Sequence, residues 1–232
     1  MRLSLRAAAA LAAVGFSLPV ASGAAINEIR QAQPGPDDNE FVELFGTPGE
    51  SLAGLALVVL SGEFNPGLVN NFVDLDAQSL DINGLLTLGA AALGPDITLD
   101  DPLFAGNYLL VSGVTSTPMA GDDLDADDDG VLDAGAFFTS VIDGVFLTDG
   151  GTDGDPDFNY GAPIEVGPDG TFEPAYVFRD VDGTGTFQIG AFGDVSLDTP
   201  GALNNPTAIP EPTGLAGLAL LGGIAAVRRR RR

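Results

Sequence analysis

The 232-residue sequence predicts an all-β sandwich, and three observations support this fold class. Short apolar runs recur along the chain, with Gly, Pro, Asn and Asp between them, as in strands joined by turns. No internal segment sustains the 3.6-residue amphipathic pattern of a helix. The 32 glycines and 16 prolines favour turns over helices. The predicted strands comprise residues 26–29, 41–45, 55–60, 72–75, 85–88, 108–111, 145–147, 176–178 and 187–189.

Two of these runs indicate how the strands lie in the sandwich. Residues 41–45 alternate only in part between apolar and acidic side chains, which places opposite chemistry on the two faces of the strand. Residues 55–60 are apolar throughout, so both faces of this strand should be covered. We therefore expect residues 55–60 to form a central strand.

The N-terminal residues 1–24 have the order of a cleavable secretory signal. Arg2 and Arg6 precede an apolar run over residues 7–20, and small residues follow up to Ala24. The alternative is an N-terminal membrane helix, but the run is shorter than the roughly 20 apolar residues that a span needs. The sequence predicts an exported chain, cleaved near Ala24.

The C-terminal end predicts a short membrane helix over residues 213–227, which carry no charge. Fifteen residues at a rise of about 1.5 Å cover about 22 Å, slightly less than a hydrocarbon core. A buried core helix is the alternative, but it would leave the arginine tail unexplained. By the positive-inside rule this tail stays in the cytoplasm and the rest of the chain lies outside. The tail consists of Arg228, Arg229, Arg230, Arg231 and Arg232.

A linker over residues 206–212 precedes this helix and ends in Pro210, Glu211 and Pro212. The order of Pro-Glu-Pro, apolar helix and arginine cluster resembles the PEP-CTERM sorting signal. This resemblance implies processing by a membrane-embedded exosortase in a bacterium that makes extracellular polysaccharide. It implies an inner-membrane-anchored intermediate, followed by attachment at the cell surface or in the extracellular matrix.

The exported part is strongly acidic once both ends are removed. It keeps only Arg30 and Arg179 against 33 acidic residues, a formal charge of 2 − 33 = −31. This charge disfavours nucleic acids and anionic lipids as partners and favours cations, although solubility alone also explains it. Cysteine is absent, so core burial, supplemented by a metal, must stabilise the fold without disulfides.

Five short motifs in the exported part resemble the lamin-tail domain, and they occur in the expected order. They lie in residues 26–29, 39–44, 51–55, 106–111 and 198–204, the last reading Asp-Thr-Pro-Gly-Ala-Leu-Asn. The resemblance implies an immunoglobulin-like β-sandwich over residues 25–205. Residues 112–198 exceed what a minimal lamin-tail domain needs, so we expect an acidic insertion there, with extra strands packed on the sandwich.

The strongest candidate site is an acidic loop that follows the ligand order of a calcium loop. Counted from Asp125, carboxylates stand at positions 1, 3 and 5, glycine at 6, a backbone carbonyl at 7 and a carboxylate at 9. Position 12 is Ala136 where an EF-hand has glutamate, so we expect a calcium loop without flanking helices. A solvated run of acids is the alternative. The predicted ligands are Asp125, Asp127, Asp129, Val131 and Asp133.

Weaker features lie near this loop. Residues 149–157 form a further acidic turn, and residues 180–185 suit a hairpin turn better than a minor cation site. Phe137 and Phe138 are the one exposed-looking aromatic pair, and burial is the preferred interpretation.

The sequence favours a non-catalytic function. Histidine and cysteine are absent, which removes the common general base, the thiol nucleophile and most transition-metal sites. We expect a calcium-stabilised interaction or structural module of the cell envelope or extracellular matrix, with extracellular polysaccharide or envelope proteins as partners. A calcium-dependent polysaccharide-binding protein is the sharper alternative. A carboxylate-pair glycoside hydrolase is the alternative from another class.

Overall fold

A computed structural model of the chain describes residues 23–33, 40–89, 105–133, 137–193, 195 and 198–204. The predicted signal segment up to residue 22 and the predicted sorting signal, with Pro210, Glu211, Pro212 and the arginine tail, lie outside these residues and stay predictions. Among the described residues, no helix has the length and apolar character needed to cross a membrane.

Strands dominate the described ranges and form two five-stranded sheets. The first sheet has the order β10-β9-β1-β2-β5 and the second β4-β3-β6-β7-β8; all pairings are antiparallel except β7 with β8. The strands are β1 (Ala25–Arg30), β2 (Phe41–Phe45), β3 (Leu55–Ser61), β4 (Val69–Asp74), β5 (Leu85–Gly89), β6 (Gly106–Ser112), β7 (Ser140–Leu147), β8 (Ile164–Val166), β9 (Tyr176–Arg179) and β10 (Phe187–Ile189).

The predicted all-β, two-sheet architecture is confirmed. Each of the nine predicted runs overlaps a strand, although β4 begins three residues and β7 begins five residues before the predicted start. The sequence did not reveal β8, because its three residues Ile164, Glu165 and Val166 are too short for a periodic pattern. β1 begins at Ala25, directly after the predicted signal peptide.

The main hydrophobic core lies between the two sheets and draws alternate residues from each strand. The first sheet contributes Ile26, Ile29, Val42, Leu44, Leu88, Val177 and Phe187; the second contributes Leu55, Leu57, Val59, Tyr108, Leu110, Val145 and Leu147. Burial of these side chains supplies the main stabilisation that a chain without disulfides requires.

A second apolar layer covers the outer face of the second sheet. Ala56, Val58 and Leu60 of β3 point into it, which explains why residues 55–60 are apolar on both faces. Connecting segments close this layer with Phe137 and Phe138, which are both buried and meet edge to face at 5.1 Å. The predictions of an interior strand and of a buried phenylalanine pair are confirmed.

Residues 112–198, expected as an insertion, contribute to both sheets. β7 and β8 complete the second sheet, and β9 and β10 extend the first sheet beyond β1. The segment therefore contributes strands to both sheets of the sandwich. Its long connections contain the acidic loop at residues 125–133 and the acidic turn at residues 149–157.

Both arginines of the exported part are buried and paired with aspartate. Arg30 pairs with Asp198, while Arg179 lies 3.0 Å from Asp143 and links β9 to β7 across the sheets. Because the sequence has no lysine or histidine, no basic side chain reaches the surface of the described part of the chain. The surface there carries negative charge alone.

Candidate functional site

The acidic loop is attached to the edge of the second sheet where β4 begins. The Gly121 N–H donates to the Val69 carbonyl at 2.8 Å, and the Val69 N–H donates to the Asp122 carbonyl at 2.8 Å. Leu124 and Leu132 pack against the outer apolar layer. The loop therefore has a fixed backbone, which a solvated run of acids would lack.

Asp125 is the centre of this loop and is fully buried. Its carboxylate accepts hydrogen bonds from the N–H groups of Asp129 at 3.1 Å and Gly130 at 2.9 Å, and from the Tyr160 hydroxyl at 2.6 Å. Burial opposes ionisation, but these hydrogen bonds outweigh it and lower the pKa of Asp125. Asp125 is thus held as a carboxylate at neutral pH.

Three of the predicted ligands come together. Carboxylate oxygens of Asp125, Asp127 and Asp133 all lie within 4.8 Å of one another. The Ala126 N–H donates to Asp133 Oδ2 at 2.8 Å, which orients that side chain. The charge of Asp129, followed by partial desolvation and the charge of Asp133, raises the pKa of Asp127. This crowding of negative oxygen atoms suits a hard divalent cation such as calcium.

The other predicted ligands stand outside this group of three. Asp129 Oδ1 accepts a hydrogen bond from the Val131 N–H at 2.9 Å, and the Val131 side chain is exposed. Their roles as ligands stay predictions, and Ala136 lies outside the described residues. Gly130 has φ +83°, and a Cβ there would come within 2.5 Å of the Phe158 ring, so the loop requires glycine at this position.

A second acidic cluster, which the sequence did not reveal, lies at the same end of the sandwich. Carboxylate oxygens of Glu63, Asp149 and Asp153 fall within 4.8 Å of one another. Glu63 follows β3, whereas the two aspartates follow β7. The acidic turn over residues 149–157 was visible in the sequence, but its meeting with Glu63 depends on the pairing of distant strands.

Glu63 is buried beside two other acidic side chains. Its side chain is only 3% exposed, and neither carboxylate oxygen accepts a hydrogen bond from a described residue. Burial, followed by contact with Asp153 and the charges of Asp153, Asp157 and Asp149, raises the pKa of Glu63 to about 8. Glu63 therefore favours its protonated form at neutral pH when no cation is bound.

An open cleft of about 330 Å³ lies between the two acidic groups. Asp128 from the loop and Asp155 from the turn contribute to its walls, and Phe64 is 50% exposed at its rim. The cleft thus combines carboxylates with aromatic and proline surfaces. Its lining residues are Glu63, Phe64, Pro66, Asp128, Asp155, Pro156 and Phe158.

The motif residues of β1, β2 and the closing segment form a separate, buried polar network. Glu28 accepts hydrogen bonds from the Tyr176 hydroxyl at 2.7 Å and from the Thr199 N–H at 3.0 Å. Glu43 accepts from the Gly201 N–H at 2.6 Å, with further bonds from Asn27 and Thr87. These paired glutamates attach residues 198–204 to the first sheet.

Asn204 and the turn over residues 180–185 complete this network. Asn204 Nδ2 donates to the Arg179 carbonyl at 2.9 Å, and Asp182 Oδ1 accepts from the Asn204 N–H at 3.0 Å. The turn joins the antiparallel strands β9 and β10, so the hairpin interpretation of residues 180–185 is confirmed. Burial raises the pKa of Glu28, and it raises that of Glu43 to about 7, because the hydrogen bonds offset it only in part.

Comparisons with protein-family models, with curated proteins and with solved structures find no match to this chain.

Proposed function

We propose that the chain is an exported, non-catalytic β-sandwich of the cell envelope or extracellular matrix, stabilised by calcium. The observation that carries this proposal is the convergence of Asp125, Asp127 and Asp133 in an ordered loop. Calcium takes six to eight oxygen ligands in flexible geometry, so carboxylates and backbone carbonyls of such a loop suit it.

The charge of the surface supports the same proposal. Both arginines of the exported part are buried in ion pairs, so bound cations are the available means of offsetting repulsion among the exposed aspartates. Calcium would lower this repulsion in the folded state, where the loop gathers the carboxylates, more than in the unfolded chain.

Delivery by a sorting signal belongs to this proposal. The Pro210-Glu211-Pro212 motif, residues 213–227 and the arginine tail would hold the chain in the membrane until an exosortase-type enzyme processes it. An immunoglobulin-like, lamin-tail-type topology would then stand at the surface or in the matrix.

Calcium-dependent polysaccharide binding is the sharper form of the proposal, and the cleft favours it. Phe64 and Phe158 provide apolar surface beside the carboxylates of Asp128 and Asp155. Aromatic faces with a few polar groups are typical of small-ligand sites. Glycan-array binding that disappears on chelation would support this function, and release of reducing ends from polysaccharide would favour a glycosidase instead.

The metal hypothesis is tested by thermal unfolding of the full-length chain in detergent, with millimolar calcium or with chelator. We expect calcium to raise the Tm by several degrees, since a ligand at 100 times its Kd contributes about 2.7 kcal/mol. Asp127→Asn should reduce the shift, because it removes the charge of one of the three converging carboxylates. Asp127 is exposed, and the amide oxygen of the variant can still accept the Asp129 N–H. The exposed Asp169, outside both acidic groups, provides the matched control Asp169→Asn. An identical Tm with calcium and with chelator would exclude this function for the loop.

Tyr160 offers a second readout for the loop. Its hydroxyl lies 2.6 Å from Asp125 Oδ2, so the ring should sensitise the luminescence of a terbium ion bound there. Excess calcium should displace terbium and abolish the signal, whereas luminescence unaffected by calcium would indicate non-specific binding to surface acids.

A further inference from the structure

We infer that Glu63, Asp149 and Asp153 form a second divalent-cation site, separate from the loop at residues 125–133. This site joins the β3–β4 turn to the segment that follows β7. It goes beyond the proposed function and does not depend on calcium binding by the loop.

The geometry of the cluster fits one shared ion. One carboxylate oxygen from each of the three residues lies within 4.8 Å of the others, a separation that a central cation with oxygen ligands at about 2.4 Å would span. Glu63 and Asp149 are 3% and 2% exposed, whereas Asp153 is exposed. The site therefore has two buried ligands and one at the surface, which leaves a path for the ion to enter.

Unpartnered buried oxygens are the second, independent observation. Glu63 Oε1, Glu63 Oε2 and Asp157 Oδ1 are buried and accept no hydrogen bond from the residues that the structure describes. Buried polar groups are almost always paired, so three unpartnered oxygens in one place indicate a partner that the described residues do not supply. The Gly151 N–H donates to Asp149 Oδ1 at 2.7 Å and to Asp157 Oδ2 at 3.2 Å, so these carboxylates belong to one electronegative region.

The chain has no cation of its own to place there. Lysine and histidine are absent, and Arg30 and Arg179 are committed to Asp198 and Asp143. The remaining arginines lie in the two ends of the sequence. No basic side chain of the exported part is left to pair with these carboxylates, and an all-oxygen cluster favours a hard divalent ion, which would displace any proton held there.

The aspartates are already oriented as ligands. Asp149 Oδ1 accepts from the Gly151 N–H at 2.7 Å, and its Oδ2 accepts from the Thr152 hydroxyl at 2.8 Å. Asp153 Oδ1 accepts from the Asp155 N–H at 2.9 Å. Such outer bonds fix ligand orientation at metal sites and leave further lone pairs on each oxygen for an ion.

An ion at this position would reinforce a junction that the backbone already makes. The Phe158 N–H donates to the Gly62 carbonyl at 2.7 Å, next to Glu63, and Asn107 Nδ2 donates to the Phe158 carbonyl at 2.9 Å. Phe158 and Glu63 both line the cleft, so the ion would set the width of its Glu63 side. Calcium fits better than magnesium, because the ligands come from separate segments and magnesium demands near-ideal octahedral geometry.

The test is calcium titration of the full-length chain by calorimetry, combined with thermal unfolding, for wild type, Glu63→Gln, Asp153→Asn and Asp127→Asn. We expect Asp153→Asn to lower the affinity of one site by roughly tenfold, because calcium affinity depends on ligand charge. Asp127→Asn should leave that site unchanged and weaken the other. A failure of the loop and a failure of this cluster are therefore distinguishable.

Glu63→Gln provides the sharper outcome, a reversal of sign. With chelator the variant should have a higher Tm than wild type, because its amide brings two N–H donors to the facing carboxylates of Asp149 and Asp153, where a carboxyl group brings at most one O–H. With calcium it should have the lower Tm, because it has lost a ligand. Unchanged calcium affinity in both Glu63→Gln and Asp153→Asn would overturn the inference. The contact between the carboxyl groups of Glu63 and Asp153 would then be explained by a shared proton in place of an ion. Asp153 is exposed, so its variant tests the site even if Glu63→Gln folds poorly.

Discussion

Glu43 and Glu63 are both buried glutamates, yet they have opposite surroundings. Glu43 accepts hydrogen bonds from the Gly201 N–H, the Asn27 amide and the Thr87 hydroxyl. Glu63 accepts none from the described residues and faces the carboxylates of Asp149 and Asp153 instead. The chain thus surrounds one buried glutamate with hydrogen-bond donors and the other with carboxylates.

This contrast separates the parts of the molecule that serve the fold from those that serve binding. The Glu28–Glu43 network attaches the closing segment to β1 and β2, and each carboxylate there has several donors. These hydrogen bonds offset part of the free-energy cost of desolvating each carboxylate. The acidic end gathers carboxylates without a basic side chain, an arrangement that a bound cation would stabilise.

Removal of Glu43 should have the largest effect on stability. Glu43→Ala leaves the Gly201 N–H and the Asn27 amide without their acceptor in a buried position. We expect a loss of about 4 kcal/mol, since breaking a buried hydrogen-bond network is among the most destabilising changes. Chemical denaturation with calcium and with chelator should give the same loss, because this network contains no metal ligand.

The exposed Glu165 of β8 supplies the control for this variant. Glu165→Ala should change the free energy of unfolding by less than about 0.5 kcal/mol, as surface substitutions usually do. A Glu43→Ala protein as stable as the control would contradict the structural role of the network.

Most of the framework follows from local pattern. Residues 55–60 identify an interior strand because both faces are apolar, and residues 180–185 identify a hairpin because Asp-Gly suits a tight turn. β8 was not predicted, because a strand of three residues is too short to show a period of two in its side chains. The strand order was equally hidden: β9 lies beside β1 through pairing of residues far apart in sequence, such as Glu28 with Phe178.

The two acidic sites show the same limit more clearly. Asp125, Asp127 and Asp133 belong to one loop, so their spacing predicts that they converge. The same spacing also predicted Asp129 and Val131 as ligands, and these stand outside the group of three. Glu63 stands alone in sequence, and only the packing of the β3–β4 turn against residues 149–158 brings it to Asp149 and Asp153. The burial of Glu63, which supports the second cation site, arises only in the folded chain and has no signal in the sequence.

The second prediction concerns how the free energy of unfolding depends on pH through Glu43. The pKa of Glu43 is about 7 in the folded state, above its usual value of 4.5, because burial outweighs its hydrogen bonds. The folded state therefore binds the proton more tightly, and this contribution to stability is full below pH 4.5 and is lost as the pH rises to about 7. We expect a loss of roughly 3 kcal/mol across this range.

Glu43→Gln isolates the contribution of Glu43 from the opposite contributions of aspartates such as Asp125, whose pKa is lowered. The difference between wild type and variant, measured by urea denaturation from pH 4 to 8, should change in that window. Glu63→Gln as the common background removes the titration of Glu63. A difference that does not vary with pH would show that folding leaves the pKa of Glu43 at its ordinary value of 4.5.

The smallest expected effects come from two threonines that hold the two kinds of carboxylate. Thr199 Oγ1 donates to Glu28 Oε2 at 2.8 Å, and Thr152 Oγ1 donates to Asp149 Oδ2 at 2.8 Å. Substitution by valine keeps the shape and removes one hydrogen bond, so each variant should lose about 1 kcal/mol of stability in chelator. Thr199→Val should lose the same amount in calcium, because its carboxylate belongs to the fold. Thr152→Val should also weaken calcium binding, about tenfold if its hydroxyl orients a ligand. Calcium affinity, measured by calorimetric titration of both variants, checks this difference. Equal affinities in Thr152→Val and Thr199→Val would make Asp149 a structural carboxylate like Glu28 and would remove the distinction between the two regions.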